Sequence, residues 1–124
     1  MPKTKVILYC EEDDSCPFLE WIVQLPVKAQ DKCQVRVERL RELGHELRRP
    51  EADLLRDGIY ELRASLQGIH SRILYFFYGT VAAIVSHGIV KEGAVPANEI
   101  ERAIQRKKRF EANPAKHLPR ESAN

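Results

Sequence analysis

Three runs rich in isoleucine, valine, leucine and aromatic residues follow one another between residues 59 and 90, parted only by Gln67-Gly68 and Gly79-Thr80. Apolar runs separated by short glycine-bearing turns fold as consecutive antiparallel hairpins, and this fixes the class of the chain before anything else is read. Strands are expected over 59–64, 70–78 and 81–90. Gly79-Thr80 reads as a two-residue hairpin loop with glycine in the first central position, as a type II′ turn requires.

Around this meander the sequence reads as helices. Ala29, Cys33, Val37, Leu40 and Leu43 recur at helical spacing, with charged residues around the rest of the wheel, and Gly44 is a natural stop. A helix over 27–43 follows. Upstream, 5–9 reads as a short strand, and Ser15 is placed to cap a helix over 17–24 that begins at Pro17. Pro96 opens a last helix with Ile100, Ala103, Ile104 and Phe110 on one face. Residues 45–58 read as a long connection anchored by Leu47, Leu54 and Leu55. The expectation is an α+β domain over 1–112, an antiparallel sheet of about four strands with its helices on one side, followed by a polar, mobile tail over 113–124.

Composition narrows the setting. With 44% hydrophobic and 31% charged residues, 124 residues suffice for one cored domain. No stretch approaches the roughly 20 apolar residues of a membrane helix, and the apolar run near the N-terminus is too short for export, so a cytoplasmic protein is expected. Cys10, Cys16 and Cys33 are odd in number and form no CxxC pair, which argues against a disulfide framework or a zinc site and for free thiols. The net charge is only +2, but from Arg102 to Arg120 seven cations face one acid, Glu111. Such asymmetry suggests a polyanion or an acidic partner, although a solvated helix end accounts equally well for Lys107 to Arg109 alone.

If Tyr78 pairs with Val81, Arg72 falls opposite His87. A four-residue loop with frayed flanks in the earlier hairpin puts Arg63 opposite Arg72. The three would then form a row across one face, with Lys91 just beyond the third strand. Like charges directly opposite are destabilising, so two arginines in register call for an anion, and a phosphate suits guanidinium donors bidentately. Taken singly, each arginine reads as a solvated strand residue and His87 as a satisfied or surface histidine. Tyr60, Tyr75, Phe76, Phe77 and Tyr78 read first as core. The residues alone reach an anion-binding sheet face.

Four blocks carry a resemblance: 57–63 (Asp-Gly-Ile-Tyr-Glu-Leu-Arg), 72–77 (Arg-Ile-Leu-Tyr-Phe-Phe), 87–91 (His-Gly-Ile-Val-Lys) and 99–103 (Glu-Ile-Glu-Arg-Ala). In this order and spacing the chain resembles phage-derived HigB-like toxins of the RelE/ParE superfamily. Ile89 stands where relatives carry an aromatic, and Glu92-Gly93-Ala94-Val95 where they carry further cations and polar residues. The resemblance implies the RelE-like fold, two N-terminal helices packed on the sheet with a further C-terminal helix. It implies a toxin paired with an antitoxin, often of helix-turn-helix type, that cleaves messenger RNA on the ribosome without metal or cofactor. In that chemistry the ribose 2′-hydroxyl attacks the adjacent phosphate. Arg63 and Arg72 would hold the phosphate and His87 or Lys91 would handle protons, while Arg48, Arg49, Arg106, Lys107, Lys108 and Arg109 would bind RNA or ribosome. The alternatives are a ParE-like inhibitor of DNA gyrase and a non-catalytic RNA- or protein-binding module.

Overall fold

The computed structural model describes residues 3–120. Five strands, β1 (Lys5–Leu8), β2 (Ala52–Arg56), β3 (Ile59–Leu66), β4 (Ile69–Tyr78) and β5 (Ala82–Val90), form one mixed sheet in the order β1-β5-β4-β3-β2. The helices are α1 (Pro17–Ile22), α2 (Val27–Leu43) and α3 (Ala97–Ala112). The α+β class stands. The sheet has five strands where about four were expected, and it is not wholly antiparallel, because β1 lies parallel to β5. The fifth strand, β2, lies in the expected long connection. Its Ala52 is buried while Leu54 is 54% exposed, so an apolar residue faces outward and the alternation that announces a strand is blurred.

The helices do not share one side. Phe18 and Ile22 of α1 and Cys33, Val37 and Leu40 of α2 pack with Leu62, Ala64, Ile73, Tyr75, Ala83 and Val85. On the other face Ile100, Ala103, Ile104 and Phe110 of α3 pack with Ile59, Leu74, Phe76, Ala82 and Ile84. The central strands are covered on both faces, so β4 and β5 read as continuous apolar runs. Burying each Val, Leu, Ile or Phe side chain among these contributes about 1.5–3 kcal/mol. Trp21 of α1 lies against Gly88, where any Cβ would collide with the indole ring.

Turn chemistry fixes the register. Leu66 pairs with Ile69 across a two-residue turn, Gln67-Gly68, both at positive φ (50° and 83°). That tight turn, in place of a four-residue loop, sets Arg63 directly opposite Arg72. The next hairpin departs from expectation. Tyr78 pairs with Ala82, so its loop holds three residues, and a bulge at Ser86 follows because Leu74 pairs with His87 while Tyr75 pairs with Val85. Together they slip the strand by two places, so Arg72 faces Ile89 and His87 faces Leu74. An even slip keeps His87 on the side of the sheet that carries Arg72.

Near the N-terminus, Cys16 rather than Ser15 precedes α1, and the Ser15 hydroxyl donates to Asp13. Cys10 and Cys16 form a disulfide, and of the three expected free thiols only the buried Cys33 remains one. Proximity through the turn at 11–15 joins the two, which a count of spacings does not reveal. The first part of the expected tail packs. Pro114–His117 forms a 3₁₀ turn, and His117 is buried, stacked on Tyr9 at 4.9 Å and hydrogen-bonded through Nδ1 to the Cys10 carbonyl at 2.9 Å. Residues 121–124 of that tail lie outside the described residues. No helix among the described residues is long and apolar enough to cross a membrane.

Candidate functional site

Arg63 on β3 and Arg72 on β4 project from the same face onto one open cleft of about 560 Å³, lined also by Asp53, Leu55, Arg56, Glu61, Ile100 and residues 93–95. Two in-register guanidiniums need a counter-charge, and the chain supplies one itself. Glu61, two residues before Arg63 and therefore beside it on the strand, is 4% exposed. Its Oε2 accepts from Arg63 Nε and Nη2 at 3.0 and 2.9 Å, and its Oε1 lies 3.6 Å from Arg72 Nη1. Asp53 pairs with Glu61 across β2 and β3, so two carboxylates opposite each other adjoin two guanidiniums opposite each other. Sequence reasoning missed Glu61; the signal was the Glu-x-Arg spacing within a strand, which places both side chains on one face.

Arg72 is held more firmly than Arg63. Its Nε donates to the Lys91 carbonyl at 3.3 Å and its Nη2 to the Gly93 carbonyl at 3.2 Å. Lys91 thus meets the cleft through its backbone carbonyl, while its side chain is exposed and is not among the residues that line the cleft. Arg63 keeps more of its guanidinium open to solvent, with Asp53 at 3.9 Å. Arg49, mostly exposed, pairs with Asp53 at 2.6 Å and holds that carboxyl below the usual range. Arg48 caps the His45 carbonyl, and both arginines line an adjoining cavity of about 510 Å³.

His87 is not brought to the arginines. It is buried beneath α3, with Nε2 2.9 Å from Glu99 Oε1 and Nδ1 2.7 Å from the Ser86 hydroxyl. Desolvation, with Arg106 nearby, pushes its pKa down to about 4, outweighing the Glu99 carboxylate. The basic residues of α3 also diverge. Arg106 points inward, its Nη1 3.4 Å from Ser86 Oγ and its guanidinium over the Tyr9 ring, and burial lowers its pKa. Arg109 is exposed on the same side as Arg106, whereas Lys107 and Lys108 lie toward Arg56 and Asp57 at the β2–β3 turn.

The family model described as Phage derived protein Gp49-like (DUF891) matches residues 20–108, well over half of the chain. The chain belongs to the Gp49-like family. The matched span of this Gp49-like chain holds the whole Glu61–Arg63–Arg72 cleft and the His87 cluster; β1, Cys10, Cys16, Arg109 and the segment after α3 lie outside it. No curated protein matches the chain. Among the described residues, no group of three or more His, Cys, Asp or Glu side chains is placed to hold a metal ion. What the Gp49-like cleft offers is a pair of fork-shaped donors whose present partner is a carboxylate, and an incoming phosphate can compete for them.

Proposed function

We propose that this Gp49-like chain is the toxin of a toxin–antitoxin pair and cleaves messenger RNA on the ribosome by metal-independent attack of a ribose 2′-hydroxyl on the adjacent phosphate. The observation that carries the reading is the register of Arg63 and Arg72, which aims two guanidiniums from neighbouring strands into one cleft. In the proposal the scissile phosphate takes the place of Glu61 between them, and the two cations stabilise the charge that gathers on the phosphoryl oxygens. Glu61, freed from Arg63, accepts the 2′-hydroxyl proton as the new O2′–P bond forms. Lys91, whose carbonyl holds Arg72 and whose side chain is exposed, protonates the departing 5′ oxygen as the old P–O bond breaks. His87, for which the resemblance implies proton transfer, is enclosed and enters this reading as the residue that fixes α3 beside the cleft. Arg48 and Arg49, on the neighbouring cavity, would steer the RNA or ribosomal backbone. The proposed partners are a cognate antitoxin of helix-turn-helix type, the ribosome and messenger RNA.

Induction in cells, with mapping of the new RNA 5′ ends, tests the reading. Growth arrest and ribosome-dependent cuts are expected for the parent chain, and both should vanish in Arg63→Ala/Arg72→Ala. Cuts that persist in the double variant would overturn it. The internal neutralisation by Glu61 favours one alternative, a non-catalytic binder, for which RNA would associate in a salt-sensitive manner and emerge whole.

A further inference from the structure

The acidic run near the N-terminus has no part in the cleft, and the fold gives it specific partners. Residues 10–16 form a loop closed by the Cys10–Cys16 disulfide and carrying Glu11, Glu12, Asp13 and Asp14. Three of those four acids reach cations of α3 and the segment after it. Glu11 lies 3.7 Å from Arg106 Nε and 3.9 Å from Arg109 Nη1, Glu12 lies 3.7 Å from Lys116, and Asp14 lies 3.4 Å from Arg120. The fourth, Asp13, accepts from Ser15 within the loop. Cys10 is also the seat of the C-terminal segment, exchanging hydrogen bonds with His117.

Arg102 and Arg109, both exposed, flank the largely buried Arg106 at i, i+4 and i+7 on one helix face, along a groove of about 480 Å³ lined also by Asn98, Glu101 and Gln105, with Arg102 paired to Glu99 at 3.3 Å. The loop's carboxylates use these cations poorly. Each contact is single and beyond hydrogen-bond length, and the buried Nε of Arg106 donates to nothing. Guanidinium forks are spent well on phosphodiester oxygens and badly on carboxylates at such distances.

We propose that the arginine face of α3 binds the phosphate backbone of single-stranded RNA, that the acidic loop masks it, and that reduction of Cys10–Cys16 lifts the mask. It rests on the RNA-directed reading above for its ligand class, and on nothing in the Arg63–Arg72 cleft. Two electrons and two protons from a dithiol reductant break the S–S bond; both cysteines become thiols and the reductant becomes its own disulfide. Without that covalent clasp the loop, with Asp14 at φ 73°, is held by the backbone hydrogen bonds from Glu11 N to the Ser15 carbonyl and from Asp14 N to the Glu11 carbonyl and by the long ion pairs above, and in the proposal it then moves off α3. Glu11, Glu12 and Asp14 leave Arg106, Arg109, Lys116 and Arg120. Both cysteines and Arg109 lie outside the span matched by the family model.

Anisotropy of a labelled 2′-O-methyl oligoribonucleotide, which keeps the phosphates but lacks the attacking hydroxyl, tests the proposal on the full chain. Reduction by dithiothreitol is expected to tighten binding about tenfold at low salt and less at high salt. Glu11→Gln/Glu12→Gln/Asp14→Asn, with the disulfide intact, should bring the oxidised protein to the reduced affinity. Arg102→Gln/Arg109→Gln should erase the gain from reduction. Affinity unchanged both by reduction and by the loop substitutions overturns the proposal, as does competition by polyglutamate as strong as by RNA, which would make the face a site for an acidic protein. The probe cannot be cut, so the two readings fail separately: cleavage without redox-dependent binding removes only the mask, and redox-dependent binding without cleavage in cells removes only the nuclease.

Discussion

Arg63 stands where the α3-facing side of the sheet opens to solvent, over the buried Glu61 and the largely buried Arg72, while Ser86 and His87 stand on that same side beneath α3, joined to its Glu99 and Arg106. Both clusters set cations and carboxylates side by side, yet their surroundings assign them different work. In the cleft, Arg63 is about one-third exposed, so solvent reaches its ion pair with Glu61. Beneath α3, His87 is 5% exposed and hydrogen-bonded through both ring nitrogens, so the cluster ties α3 to β5. Chemically similar groups are open to an incoming ion or closed into a structural rivet according to whether water reaches them.

Removing the rivet should have the largest effect. His87→Ala deletes two buried hydrogen bonds and leaves a cavity, and a loss of about 3 kcal/mol in urea denaturation is expected. A change under about 1 kcal/mol would erase the contrast between the clusters. Acid should act on the same residue. Its folded-state pKa lies below the ordinary imidazole value, so the folded protein binds fewer protons than the unfolded chain. Its contribution is therefore complete above the unfolded pKa and is lost as the pH falls toward about 4. Unfolding free energy should be roughly 2 kcal/mol lower at about pH 5 than at about pH 7, and the slope should flatten in His87→Ala.

Glu61→Gln sharpens the comparison because stability and binding should move in opposite directions. Arg63 and Arg72 lose their shared carboxylate, at a cost of about 1–2 kcal/mol, while the vacated cations bind the 2′-O-methyl RNA more tightly. If both quantities fall together, Glu61 is a strut of the cleft and not a stand-in for phosphate. The smallest effect is expected at Arg49, whose side chain is 72% exposed although it pairs with Asp53 at 2.6 Å. Arg49→Ala should leave the thermal midpoint of unfolding nearly unchanged.

Much of this was legible where local chemistry decides. Helix α2 runs from Val27 to Leu43 as its apolar spacing and Gly44 dictate, and Arg63 stands opposite Arg72 as the strand runs imply. What escaped depends on contacts distant in sequence or on subtle backbone count. The parallel seat of β1 and the edge strand β2 need partners that periodicity does not name. The third residue of the β4–β5 loop and the bulge at Ser86 together displaced His87 from the expected row, since single inserted residues leave no compositional mark. Glu61 was hidden by the habit of seeking an external anion for paired arginines. The disulfide was hidden because spacing cannot show that the chain turns back on itself between Cys10 and Cys16.

The parallel pairing of β1 with β5 joins Lys5 to Ala82, and Tyr9 donates to the Val85 carbonyl. The β3–β4 hairpin that carries both cleft arginines closes across two residues, so it can form as soon as it leaves the ribosomal tunnel. The first strand must instead wait, edge unpaired, until β5 has been synthesised. Docking of β1 is thus postponed until residues 82–85 emerge, and a chain cut short before residue 82 has no place to dock it.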